Sequence, residues 1–142
     1  MRSLWQRWWF RFPISSDISA SARCNARVHE LSIALSIIEG VEEESTRQGG
    51  ARVCSVHVRL GPLSGIVKEA LLFSYELACE GTSLEGSSLL IVDVPLVVYC
   101  PQCGAERAPV SIQRLECTEC GTPAGRVLTG AELEVYALEL QT

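Results

Sequence analysis

The chain has 142 residues, 47% hydrophobic and 20% charged, so it is long enough for one packed domain with a small appendage and too apolar to be disordered. Its formal charge of −5 is unevenly spread: residues 1–27 hold five Arg against one Asp, leaving an acidic body. Such a body argues against nucleic acid as partner, because phosphate contacts need Lys and Arg.

Seven Cys, four of them in two CxxC pairs, suit a metal site in a reducing cytoplasm better than a disulfide framework. No run reaches the roughly 18 apolar residues that span a bilayer, so the chain reads as soluble, with no membrane partner.

Residues 1–27 stand apart from the rest. All three Trp and two of the three Phe fall in the first twelve positions, with no helical or alternating pattern. Gln6, Arg7 and Arg11 interrupt the apolar run that a signal peptide needs. A transit peptide and a membrane-touching basic patch fit weakly. The preferred expectation is a leader that is disordered or translated from upstream of a true start at Val28, since a valine codon also serves bacterial initiation. Cys24 then has no role.

Residues 29–47 predict an amphipathic helix with Leu31, Ala34, Leu35, Ile38 and Val41 on its apolar stripe, and Glu42, Glu43 and Glu44 at a solvated end. Residues 51–60 alternate and predict a half-buried strand. Cys54, Val56, Val58 and Leu60 take its inner face, and Ser55, His57 and Arg59 its outer face, with His57 solvated.

Gly61-Pro62 ends that strand. Residues 67–80 predict a second helix, with Val67, Ala70, Leu71, Ser74, Leu77 and Ala78 on one side. Residues 89–98 read as a strand that Pro95 confines to an edge or bends. Residues 132–140 alternate again as a last strand.

The pattern Cys100-Pro101-Gln102-Cys103-Gly104 returns as Cys117-Thr118-Glu119-Cys120-Gly121. Two residues between cysteines let a tight turn aim both sulfurs at one ion, and the following Gly tolerates positive φ. Rubredoxin-type iron uses similar ligands and a redox dithiol uses a single pair. Two pairs at ribbon spacing favour one shared zinc ion. Four protein ligands leave no open position, so the zinc is structural. Cys54 and Cys79 read as buried apolar residues rather than ligands.

The expected fold is α+β: two helices packed on a three-stranded sheet, with an inserted zinc-ribbon unit before the last strand. The expected domains are the leader at residues 1–27, an α/β domain at 28–98 and 131–142, and a zinc-binding domain at 99–130.

Several separate motifs occur in one order: Val28-His29-Glu30-Leu31-Ser32, Leu60-Gly61-Pro62-Leu63-Ser64-Gly65, Gly81-Thr82-Ser83-Leu84-Glu85-Gly86, the two CxxCG knuckles and Gly130-Ala131-Glu132-Leu133. Together they resemble the HypA/HybF family of hydrogenase nickel-incorporation proteins, over residues 28–142. The resemblance implies a nickel metallochaperone with Ni(2+) as cargo. It also implies a HypB-type GTPase and the [NiFe]-hydrogenase large subunit as partners, urease maturation for some members, and a monomer or weak homodimer.

The family begins Met-His-Glu, so the resemblance implies that His29 and Glu30 form the nickel-site pair, with Val28 in the place of the initiator Met. Ni(II) favours square-planar nitrogen ligation. A free terminal amine, the His29 imidazole and deprotonated amides would supply it, whereas a leader turns the Val28 nitrogen into an amide. Glu30 would give its amide, its carboxylate or a contact to the GTPase. Lys68 departs from the family, where a Pro often begins the second helix; a helix start accepts either.

The competing expectation is a zinc-ribbon adaptor that never carries nickel. With His29 and His57 the only histidines, the sequence offers no catalytic constellation, so no enzyme is expected.

Overall fold

The computed structural model describes residues 5–13 and 26–141, with side chains from Glu30 onward. In chain order it contains β1 (Trp5–Pro13), α1 (Ala26–Arg47), β2 (Arg52–Leu60), a short 3₁₀ turn (Pro62–Ser64) and α2 (Lys68–Cys79). There follow β3 (Ser88–Asp93), β4 (Val97–Cys100), β5 (Ala105–Arg107), β6 (Arg126–Thr129) and β7 (Leu133–Gln141). Two compact units result: one from the residues up to Val58, Ile66–Ile91 and Glu134 onward, the other from Arg59–Gly65 and Val92–Leu133.

In the first unit α1 packs along α2, and the sheet order is β1-β7-β2-β3. Of these, β2 and β7 are the strands expected from alternation, and β3 is the first part of the strand expected over residues 89–98. The fourth, β1, comes from the leader, where no pattern was legible. It pairs antiparallel with β7 from Trp5↔Gln141 to Pro13↔Glu134, with one irregularity between Trp9 and Phe12. An outer strand is held by backbone pairing, so it needs aromatic and extended-backbone preference rather than alternation. Cys24 lies outside the described residues.

The buried stripes are rotated from those expected. On α1 the buried residues are Ile33, Ala34, Ile37, Ile38 and Val41, while Leu31 and Leu35 are 42% and 52% exposed. On α2 they are Leu71, Tyr75 and Cys79, one helical turn apart, while Val67 and Leu77 face solvent. Tyr75 enters the core because its hydroxyl lies 2.7 Å from Ser87 Oγ, which satisfies the one polar group it brings. Glu44 is also buried, its carboxylate accepting from Arg47 (3.3 Å) and Gln48 (3.0 Å), so the acidic end of α1 is not wholly solvated.

In the second unit β4 lies between β5 and β6, antiparallel to both. The strand expected over 89–98 is broken at 94–96, as Pro95 requires: Val94 N–H turns to donate to Leu60 C=O at 2.9 Å. Two of the motifs meet here. Gly61 N–H donates to Glu132 C=O and Leu63 N–H to Gly130 C=O, each at 2.8 Å. A Cβ on Gly61 would stand 2.1 Å from Gly130 O, and one on Gly130 would stand 2.8 Å from Leu96 Cα. Both glycines are required by close backbone approach.

Candidate metal centre

Each CxxC pair sits on a tight turn. Gly104 N–H donates to Cys100 C=O at 2.8 Å and Gly121 N–H to Cys117 C=O at 2.9 Å. The two glycines take φ of 64° and 72°, a left-handed geometry that reverses the chain at little cost. Cys100 ends β4, which fixes the first knuckle, and Cys117 bridges to Pro109, which fixes the second.

The four sulfurs of Cys100, Cys103, Cys117 and Cys120 lie within 4.8 Å of one another. Cys100 Sγ is 3.5 Å from Cys120 Sγ, and Cys103 Sγ is 3.9 Å from Cys117 Sγ. A tetrahedron with zinc–sulfur bonds of about 2.3 Å puts its sulfurs about 3.8 Å apart, so the spacing fits a four-thiolate ion site. Cys100 and Cys117 are buried at 0% and 1% exposure, and Cys103 and Cys120 lie at the surface.

The sulfurs are oriented by their own turns. Cys103 N–H donates to Cys100 Sγ and Glu119 N–H to Cys117 Sγ, both at 3.4 Å. The Thr122 hydroxyl, 3.2 Å from Cys120 Sγ, and its backbone N–H hold that thiol down at about 6. The Cys120 backbone N–H lowers Cys117. Cys103 is pushed up to about 12 because its proton is shared toward Cys120 and Cys100. Four sulfurs this close do not all ionise without a cation, which is the demand a divalent metal meets.

His29 lies in the first turn of α1; its side chain falls outside the described residues. Its neighbour Glu30 is 2% exposed, with Oε1 3.4 Å from the Val67 N–H just ahead of α2 and Oε2 without a hydrogen-bond partner. The Glu30 carboxylate is therefore turned into the first unit, where the amino end of α2 favours its charge.

His57 is not solvated, as expected from alternation, but 8% exposed. Its Nε2 lies 3.1 Å from Glu139 Oε1 and 3.4 Å from Ser55 Oγ, and its ring meets Tyr136 edge-on. Partners on β7 let a polar side chain be buried, and sequence alone does not show that register. Both polar contacts fall on the same nitrogen, so Ser55, His57 and Glu139 do not form a proton relay, which needs one partner on each nitrogen.

Cys79 is buried as expected, and its thiol is raised by burial beside Tyr75. Cys54 is half-buried, with its sulfur 4.0 Å from Arg52 O. Neither joins the four-cysteine cluster.

Comparison with known proteins agrees with these features. The family model for hydrogenase/urease nickel incorporation, metallochaperone HypA, matches residues 28–140. A hydrogenase maturation factor HypA from Roseiflexus sp. (strain RS-1) is 47% identical over 114 residues, covering 80% of this chain and 93% of that protein. One from Chloroflexus aurantiacus is 43% identical over 112 residues, covering 79% and 98%.

Among solved structures, a solution structure of HypA protein matches with a TM-score of 0.60 at 24% identity, covering 80% of this chain and 96% of that one. The Ni metallochaperone HypA from Helicobacter pylori matches at 0.54 and 24%, covering 78% and 96%. At that identity the likeness establishes the fold.

Proposed function

The chain belongs to the HypA family of hydrogenase/urease nickel-incorporation metallochaperones and has a nickel-related maturation role; from that membership we propose how it handles the metal. His29 anchors Ni(2+) as cargo, and a HypB-type GTPase assists its transfer to the [NiFe]-hydrogenase large subunit. Cys100, Cys103, Cys117 and Cys120 hold a structural Zn(2+). The role is one of binding and delivery in the cytoplasm, not catalysis.

One observation carries this reading. The family match starts at Val28, directly before His29 and Glu30, so the pair heads the matching region. The chemistry is consistent with it. Four thiolates close a tetrahedral site and suit zinc, whereas a transferable nickel ion needs few protein ligands and nitrogen donors. With Glu30 turned inward, His29 is left as the side-chain ligand of the pair.

In the full chain α1 begins at Ala26, so Val28–Glu30 lie inside its first turns. Ligation by their backbone nitrogens requires that turn to open, and a terminal amine at Val28 exists only in a chain that begins there. We therefore infer that nickel binds to a form starting at Val28. That form comprises the nickel-binding domain, residues 28–98 and 131–142, and the zinc-binding domain, residues 99–130.

The test is reconstituted delivery: nickel-loaded protein, the GTPase with GTP, and nickel-free hydrogenase large subunit. Incorporation should occur with the chain starting at Val28 and be lost with its His29→Ala variant. Equal incorporation by the two would overturn the assignment.

A further inference from the structure

Three of the four clustered sulfurs are met by a donor group from their own knuckle. Cys100 Sγ accepts from the Cys103 N–H and Cys117 Sγ from the Glu119 N–H, both at 3.4 Å, and the Thr122 hydroxyl stands 3.2 Å from Cys120 Sγ. Cys103 Sγ differs. It lies 3.9 Å from the Cys117 sulfur, and among the described residues no N–H or O–H group is hydrogen-bonded to it.

Arg107 is the converse, a donor without an acceptor. It ends β5, where the register sets it opposite Val98 and sets Ala105 opposite Cys100. Residues two apart on a strand share a face, so the Arg107 side chain leaves the β4–β5 pair on the face that carries Cys100. One terminal guanidinium nitrogen reaches Glu106 C=O at 3.2 Å. The Nε, by contrast, is buried and has no hydrogen-bond partner among the described residues. Arginine does not shed its proton, so a buried N–H of this kind costs stability until an acceptor meets it. The guanidinium also lies in the field of the cluster. Burial works against its charge, but the Cys103 sulfur and the charges of Cys103, Cys117 and Glu119 outweigh this and raise its pKa.

A bound metal supplies the acceptor. Four thiolates on one divalent ion leave two negative charges unbalanced, and an ionised sulfur accepts a hydrogen bond more strongly than a thiol. Donors to the ligating sulfurs orient them and tune the ion they hold. A guanidinium brings a fixed positive charge as well as a donor.

We propose that Arg107 completes the donor set of the zinc centre: its Nε–H closes on Cys103 Sγ in the metal-bound protein, tightening the hold on the ion and tempering the reactivity of that one thiolate. The inference rests on the four-thiolate zinc reading and assigns Arg107 as a positioning residue toward it.

The experiment uses the full chain with Arg107→Met, Arg107→Lys and Thr122→Val variants. Met keeps an unbranched stem and loses donor and charge, whereas Lys keeps a point charge and loses the planar fork. Zinc affinity is measured by competition with a chelator. Iodoacetamide alkylation of each cysteine is followed by mass spectrometry in excess zinc, and cobalt uptake is followed by its sulfur-to-metal absorption bands. Arg107→Met should lower zinc affinity about tenfold. It should also speed alkylation of Cys103 severalfold and leave Cys120, equally at the surface, unchanged. Arg107→Lys should fall between Met and the wild type. Thr122→Val should speed Cys120 and not Cys103. If Arg107→Met matches the wild type, or speeds Cys103 and Cys120 alike, the Arg107 assignment is overturned and the zinc centre stands. A wild type that takes up cobalt without sulfur-to-metal bands would overturn the four-thiolate reading, and this inference with it.

Discussion

Single residues set the tolerances of this fold. Gly61 has no room for a side chain, because backbone atoms of Gly130 stand within 2.2 Å of any added Cβ. Gly61→Ala therefore has to push two backbone segments apart, and we expect a loss on the order of 3 kcal/mol, read as a lower midpoint in urea. A midpoint equal to the wild type would mean that the loop and the Gly130 turn do not meet.

Tyr75 gives a milder case. Tyr75→Phe removes the contact to Ser87 and leaves that hydroxyl its bond to Leu84 C=O at 2.5 Å, so the expected cost is about 1 kcal/mol. An unchanged melting temperature would show that the phenol contributes packing alone.

At the scale of elements the second unit depends on its cysteines. β5 has three residues and β4 and β6 four each, too short to hold a sheet on backbone pairing alone. A metal bound by four thiolates adds on the order of 10 kcal/mol. Chelation should therefore abolish amide protection in β4, β5 and β6, with zinc restoring it; protection that survives full chelation would show that the ion is dispensable.

The thiols also set a pH dependence. Cys120, lowered to about 6, is ionised at neutral pH, whereas Cys103, raised to about 12, still holds a proton that zinc must displace. Zinc binding should release protons, and affinity should fall as pH falls because more thiols must then be deprotonated. Titration in buffers of different ionisation enthalpy measures the release; zero release would contradict the thiol assignments.

The same scale shows what the sequence made legible. The CxxCG repeats named all four sulfurs of the cluster, because ligand spacing in a knuckle is local. The alternation of residues 51–60 and 132–140 located β2 and β7, and Pro95 marked the break between β3 and β4. The buried faces were less legible. Leu31 and Leu35 looked like core but Ile33 and Ile37 took their place, since α1 packs along α2 and the periodicity of a helix does not fix which part of a wide apolar stripe faces its partner. His57 and Tyr75 were missed because their burial depends on Glu139 and Ser87, partners distant in sequence. β1 was missed because a strand that joins an existing edge needs no pattern of its own.

At the scale of the whole molecule the two proposed metal roles fall in different units. The cysteine cluster draws all its ligands from the second unit, and His29 belongs to the first. Among the described residues no helix is long and apolar enough to cross a membrane. Zinc loss should thus leave the first unit's α1–α2 packing intact, and loss of His29 should leave the zinc content at one ion per chain.

The most direct measurement is a calorimetric titration of Ni(2+) into the chain starting at Val28, its His29→Ala variant and the full 142-residue chain, with zinc quantified in each. The account predicts one nickel ion bound to the first, none to the second, weaker binding to the third, and one zinc in all three. Undiminished nickel affinity in His29→Ala would contradict it.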